Sequence, residues 1–130
     1  MGATAEVKWA VYKVFDALFD HIANGRLNET MACWNDDPDI ALFGSEMSDA
    51  ALGAAAIRAH FADYFARPYR LRFSFPDRLL SASGHVAWLT ADGTVRIGPD
   101  GADEPYRVTG VFQRRRDQWL WQLFSGSQPR

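Results

Sequence analysis

The spacing of apolar residues changes period along the chain, and each period predicts a different element. Over "AEVKWAVYKVFDALFDHIANG", Val7, Val11, Phe15, Leu18 and Ile22 recur at helical spacing on one face, and Lys8, Lys13, Asp16 and Asp20 lie largely elsewhere. Asn24-Gly25 supplies the stop, because glycine accepts the left-handed conformation that closes a helix. A second, shorter helix is predicted from about Leu27 to Trp34, ended by "NDDP". "DIALFGS" reads as a short strand, and "SEMSDAALG" as a turn or short hairpin. A third helix follows over "AAAIRAHFADYFARP", with Ile57, Phe61 and Tyr64/Phe65 as its apolar stripe, and Pro68 forbids its continuation.

Beyond Pro68 the period falls to two. In "YRLRFSF", Tyr69, Leu71, Phe73 and Phe75 alternate with Arg70, Arg72 and Ser74, the signature of a half-buried strand. "SG" at 83–84 turns the chain into "HVAWLTADGTVRIG", and "PDGADEP" reads as a polar loop. "YRVTGVFQRRR" and "QWLWQLFSGS" form a hairpin around Arg116-Asp117. Helices with one early strand among them, followed by an antiparallel meander, define an α+β chain; parallel βαβ alternation is missing. One sheet with helices packed on one face satisfies this order.

Composition narrows the function classes. A chain of 130 residues is expected to form one domain, residues 1–130, able to bury a core without a metal or disulfide staple. Hydrophobic residues at 48% and aromatics at 14% exclude disorder. The formal net charge of −2 gives no field that favours nucleic acid, and the "RRR" run at 114–116 reads as a solvated hairpin tip. Cys33 stands alone, so no internal disulfide forms and a reducing compartment fits. "MGATAEVKWA" lacks the pattern of a signal peptide, and no apolar run approaches the ~20 residues that span a bilayer. The expectation is a cytoplasmic protein with neither a nucleic-acid nor a membrane partner. The three histidines show no metal-ligand spacing, so no metal site is expected. "DDPD" at 36–39 lacks the spacing of a calcium loop.

"NDDPDIALFGSE", "GAAAIRAHF" and "VTGVFQRRRDQWLWQLFSGSQP", in this order, resemble the nuclear transport factor 2-like superfamily and its SnoaL-like and ketosteroid isomerase-like groups. The Gly-x-x-Ala-Ile-Arg element at Gly53, Ala56, Ile57 and Arg58 is the most specific part, and the resemblance spans almost the whole chain. It implies a cone-shaped fold: helices packed on a strongly curved, mostly antiparallel sheet that encloses a pocket. It also implies frequent dimerisation through the outer sheet face. The superfamily holds isomerases, cyclases, dehydratases and non-catalytic modules, so fold does not give function.

Alternation predicts the pocket lining. Trp119, Trp121, Leu123 and Ser125 on the last strand and Val108, Gly110 and Phe112 on its neighbour are expected to face inward. Leu18, Trp34 and Leu42 approach them, giving a predicted ligand pocket of Leu18, Trp34, Leu42, Gly110, Phe112, Trp121 and Ser125. Its aromatic, mostly apolar character suits a small-molecule ligand. Trp88, Val111, Leu120 and Phe124 are expected on the outer face as a homodimer interface.

The borrowed isomerase chemistry does not carry over. Matching to that group puts Leu18 at the place of its tyrosine, Leu42 or Ala41 at its base, and Gly110 at its second acid. Asp39 is the nearest carboxylate that a one-residue shift would restore. Some SnoaL-like relatives carry His-x-Ser near the chain end, where this chain has Ser125-Gly126-Ser127. His60, Asp63 and Tyr64 share a helical neighbourhood but read as a flank facing water, and Cys33 reads as a buried structural thiol. The catalytic residues are therefore left open. A small apolar or aromatic metabolite is the expected ligand, cofactor-free isomerase, cyclase or hydratase chemistry is the nearest activity, and a non-catalytic dimeric module is the alternative.

Overall fold

The computed structural model describes residues 2–46 and 49–129. Helix α1 spans Ala5–Asn24; Thr4 caps it by accepting from the Val7 N–H at 3.2 Å, and Gly25 ends it at φ 67°. Helix α2 spans Leu27–Ala32 and α3 spans Ala54–Phe65. The strands are β1 Ala41–Phe43, β2 Ala50–Leu52, β3 Leu71–Ser83, β4 Val86–Ile97, β5 Asp103–Arg115 and β6 Gln118–Ser127. They form one sheet in the order β2-β1-β6-β5-β4-β3, antiparallel except for the β1–β6 pair. The predicted turn through "SEMSDAALG" includes Met47 and Ser48, which lie outside the described residues; β2 beyond them pairs antiparallel with β1.

Helix α2 ends two residues before the predicted Trp34 because the following backbone joins the sheet. The Trp121 N–H donates to the Cys33 carbonyl and the Asn35 N–H to the Trp121 carbonyl, both at 2.9 Å. Buried Asn35 is satisfied there by Gln122 at 2.9 Å, with Gln113 at 3.4 Å and Arg115 at 3.3 Å. Arg115 thus fastens the hairpin to the chain after α2, a structural task for part of the "RRR" run.

Two bulges break the period-two pattern. In β3 the register shifts between Ser74 and Asp77, opposite Gly93 of β4. A Cβ on Gly93 would collide with the Ser74 carbonyl oxygen, so the bulge needs glycine there. In β6, Trp121 faces Phe112 but Leu123 faces Val111, leaving Gln122 as the extra residue. Side-chain parity reverses after it. Phe124, expected on the outer face, is buried inside, and Ser125, expected in the pocket, is exposed on the opposite face. Leu123 likewise moves outward, registered with Val111.

Helix α1 lays Val11, Phe15, Leu18 and Ile22 on the sheet, as its stripe predicts; Phe19, outside the predicted stripe, is buried with them, and Val7 is only half-buried. Trp121 sits at the centre: its ring lies 4.5 Å from Phe112, 5.6 Å from Phe15 and 6.0 Å from Trp34, and its Nε1 donates to the Val14 carbonyl at 3.2 Å. Arg78 clamps α1 to β3 through both Asp16 oxygens, at 2.5 and 3.1 Å, and donates to the Phe75 carbonyl at the bulge.

Candidate functional site

The end of the sheet that holds Trp121 is solid. Leu18, Phe112 and Trp121 are fully buried, and Trp34 nearly so. Gly110 leaves no opening, because a Cβ there would lie 2.7 Å from Trp121 Cζ3 and 3.0 Å from the Phe112 ring. The predicted lining residues Leu18, Trp34, Gly110, Phe112 and Trp121 therefore belong to the packed core. Of the predicted set, Leu42 lines the most enclosed cavity among the described residues, and Trp34 borders only a shallower one between α2 and α3.

That cavity, of about 250 Å³, lies at the other end of the sheet, between α3, the β1–β2 connection and the ends of β3 to β6. Its apolar wall comes from Ile22, Leu71, Phe73, Val95 and Phe124. The β6 bulge puts Phe124 here, 5.6 Å from Trp121 and 6.0 Å from Phe19 between ring centroids. The polar wall includes Asp49, His60, Tyr64, Arg67 and Tyr106.

Each polar group is held by local structure. Pro68 stops α3, and the chain returns so that the Leu71 N–H donates to the Tyr64 hydroxyl. Burial raises the Tyr64 hydroxyl above its ordinary pKa, opposed by that hydrogen bond. Gly44 lets Asp49 approach: a Cβ on Gly44 would lie 2.5 Å from Asp49 Cβ, and the Gly44 N–H donates to the Asp49 carbonyl at 2.7 Å. The Glu46 N–H donates to Asp49 Oδ2 at 3.3 Å. Tyr106 comes from β5, 6% exposed, and burial followed by the Asp49 charge pushes its hydroxyl up to about 12. At the mouth, Arg67 lies 3.6 Å from Asp63, and its pKa is raised chiefly by a hydrogen bond to the Tyr69 side chain.

His60 and Tyr64 therefore do not form a flank facing water. Tyr64 is 7% exposed, and both line the cavity. Asp63 does face solvent, and exposed Asp39 lies outside the cavity, its N–H donating to Asp37 Oδ1 at 2.8 Å. Cys33 is buried, and burial pushes its thiol up to about 11. Among the described residues, no group of His, Cys, Asp and Glu is arranged to hold a metal ion. No helix among the described residues is long and apolar enough to cross a membrane. Sequence reasoning missed Asp49 and Tyr106, and no signal within the last strand marked the bulge, because Trp119-Leu120-Trp121 already departs from strict alternation.

Helices laid on one six-stranded, mostly antiparallel sheet, with a cavity at one end, define an NTF2-like, cystatin-like α+β protein. The model of the SnoaL-like domain matches residues 11–129, and the chain belongs to that family. Among solved structures, an NTF2-like protein of unknown function from Pseudomonas putida KT2440 is similar at a TM-score of 0.85 and 17% identity, over 98% of this chain and 90% of that one. A presumed dehydratase of the NTF2-like family from Streptomyces avermitilis matches at 0.85 and 17%, over 98% and 99%. A presumed aromatic ring hydroxylase from Novosphingobium aromaticivorans matches at 0.84 and 16%, over 98% and 92%. These likenesses establish the shared fold. No curated protein matches the chain in sequence.

Proposed function

We propose that this SnoaL-like chain binds a small apolar or aromatic metabolite in the cavity between α3 and the ends of β3 to β6. The carrying observation is the cavity itself: about 250 Å³, walled by Phe73, Val95 and Phe124 and fringed by convergent polar groups. The volume lies just below the usual range for drug-sized ligands, which suits a molecule of one or two rings. Asp49 and His60 on the wall can each exchange a proton, so cofactor-free isomerase, cyclase or hydratase-type chemistry is the activity to assay. The fold neighbours presumed to be a dehydratase and a ring hydroxylase support testing reactions on ring compounds. The lone buried Cys33 suits the reducing cytoplasm, the location we propose.

The test is a thermal-shift screen of one- and two-ring compounds, repeated with Leu71→Trp, which places a larger side chain on the cavity wall. Saturating ligand is expected to raise the melting temperature by several degrees in the wild type and to have no effect in the variant. Compounds that shift both proteins equally, or no shift with any compound, would count against the cavity as the binding site.

The outer sheet face supports a second element of the reading, a homodimer. Trp88, Val111 and Leu123 stand in one register row, flanked by Leu79, Val86 and Leu120. Leu79 is 72% exposed, and Val86 and Trp88 are each 39% exposed.

A further inference from the structure

Tyr106 lines the cavity, and its hydroxyl makes no hydrogen bond among the described residues. The ring that carries it is fixed. Phe73 meets it edge-on at 5.1 Å between centroids, and Phe75 stands at 6.3 Å. Gly126 of β6 provides the seat: a Cβ there would collide with the Tyr106 hydroxyl. The Ser125-Gly126-Ser127 stretch thus matters here for its glycine. It leaves space for a phenol from the adjacent strand.

The chemistry of this wall is selective. A phenol pushed up to about 12 by burial is a neutral O–H donor near pH 7. A donor with no acceptor among the described residues, on a cavity wall that also carries Phe73, Val95 and Phe124, suits an acceptor oxygen on the ligand. The charged groups around the cavity are Asp49, Glu46 and Arg67, the last beside Asp63. Asp49 and Tyr106 line the same cavity, so an anion bound at the hydroxyl would share that space with a carboxylate.

We infer that Tyr106 determines ligand specificity: its hydroxyl donates to the carbonyl oxygen of a neutral ring compound, and Asp49 disfavours anionic analogues. This rests on the cavity being the binding site. The probes are 1-indanone, indane and indane-1-carboxylate, titrated against the whole chain and followed by intrinsic fluorescence, with Tyr106→Phe as the variant. The ketone is expected to bind wild type about tenfold more tightly than the hydrocarbon, the size of one net hydrogen bond, and the carboxylate most weakly. Tyr106→Phe keeps the ring and is expected to bring ketone affinity down to that of indane, leaving indane unchanged. The infrared carbonyl stretch of bound 1-indanone supplies a check that needs no folded variant: it should fall below its value in an apolar solvent. Ketone and hydrocarbon binding equally, an unshifted carbonyl band, or a carboxylate binding as well as the ketone would overturn the inference while leaving the cavity as a binding site. Binding of none of the three probes would overturn it together with the cavity reading.

Discussion

Cys33 has the chemistry of a nucleophile and the surroundings of a core residue. It is 6% exposed, its Sγ lies 3.5 Å from the Glu29 carbonyl, and burial lifts its pKa from 9.0 to about 11. Below pH 9 the thiol is protonated in both folded and unfolded chains and adds no pH dependence. Above it the unfolded chain ionises first, so stability falls as pH rises and is lost through about pH 11. The loss is on the order of 1–2 kcal/mol, since desolvation of the thiolate is incomplete. Urea midpoints measured from pH 8 upward should decline more steeply in wild type than in Cys33→Ala. The remaining decline toward about pH 12 belongs to Tyr106 and Tyr64, both raised by burial, and should persist in the variant. Identical curves would show that the thiol does not titrate differently on folding.

At the scale of elements, the bulges decide where the cavity lies. Gly93 faces the β3 bulge, and a Cβ there would meet backbone at Ser74, which cannot rotate away as a side chain could. Gly93→Ala is therefore expected to cost about 3 kcal/mol, read from the denaturation midpoint. A loss under about 0.5 kcal/mol would mean that the strand accommodates the methyl group. The same bulges mark the limit of what the pattern of residues discloses. The α1 stripe was legible because every turn repeats one geometry, and Val11, Phe15, Leu18 and Ile22 are all buried as their spacing requires. The strands were legible in extent and pairing, as in the Arg116-Asp117 hairpin, where Arg116 takes the left-handed conformation at φ 59°. Facing was legible only up to Trp121. One extra residue, Gln122, exchanges Phe124 and Ser125 between faces, and no alternation rule locates an insertion from within one strand. The cavity was harder still, because Leu71, Val95, Tyr106 and Phe124 come together only once four strands have their registers.

For the whole molecule, the corrected facing changes what a second copy would meet. With Phe124 turned inward, the outer face carries Leu123 beside Val111 and Trp88, and Leu79 stands exposed on the edge strand. A row with three adjacent apolar side chains, ended by Ser81 on the edge strand, gains by being covered, at roughly 25 cal/mol for each Å² of apolar surface removed from water. A stable interface needs about 800 Å² from each partner, which a sheet face of this length can supply if the whole row is used. Light scattering on the eluting protein should give about twice the chain mass of 14.6 kDa at micromolar concentration. Trp88→Glu would place a carboxylate at the centre of the row and is expected to return the mass to 14.6 kDa without unfolding the chain, because Trp88 is already 39% exposed. Phe124→Ala, by contrast, should leave the dimer mass unchanged and lower stability by about 3–5 kcal/mol, since that ring now packs against Phe19 and Trp121 inside. A wild type that elutes as a monomer would remove the dimer. A Phe124→Ala chain that loses the dimer at unchanged stability would instead return that ring to the outer face.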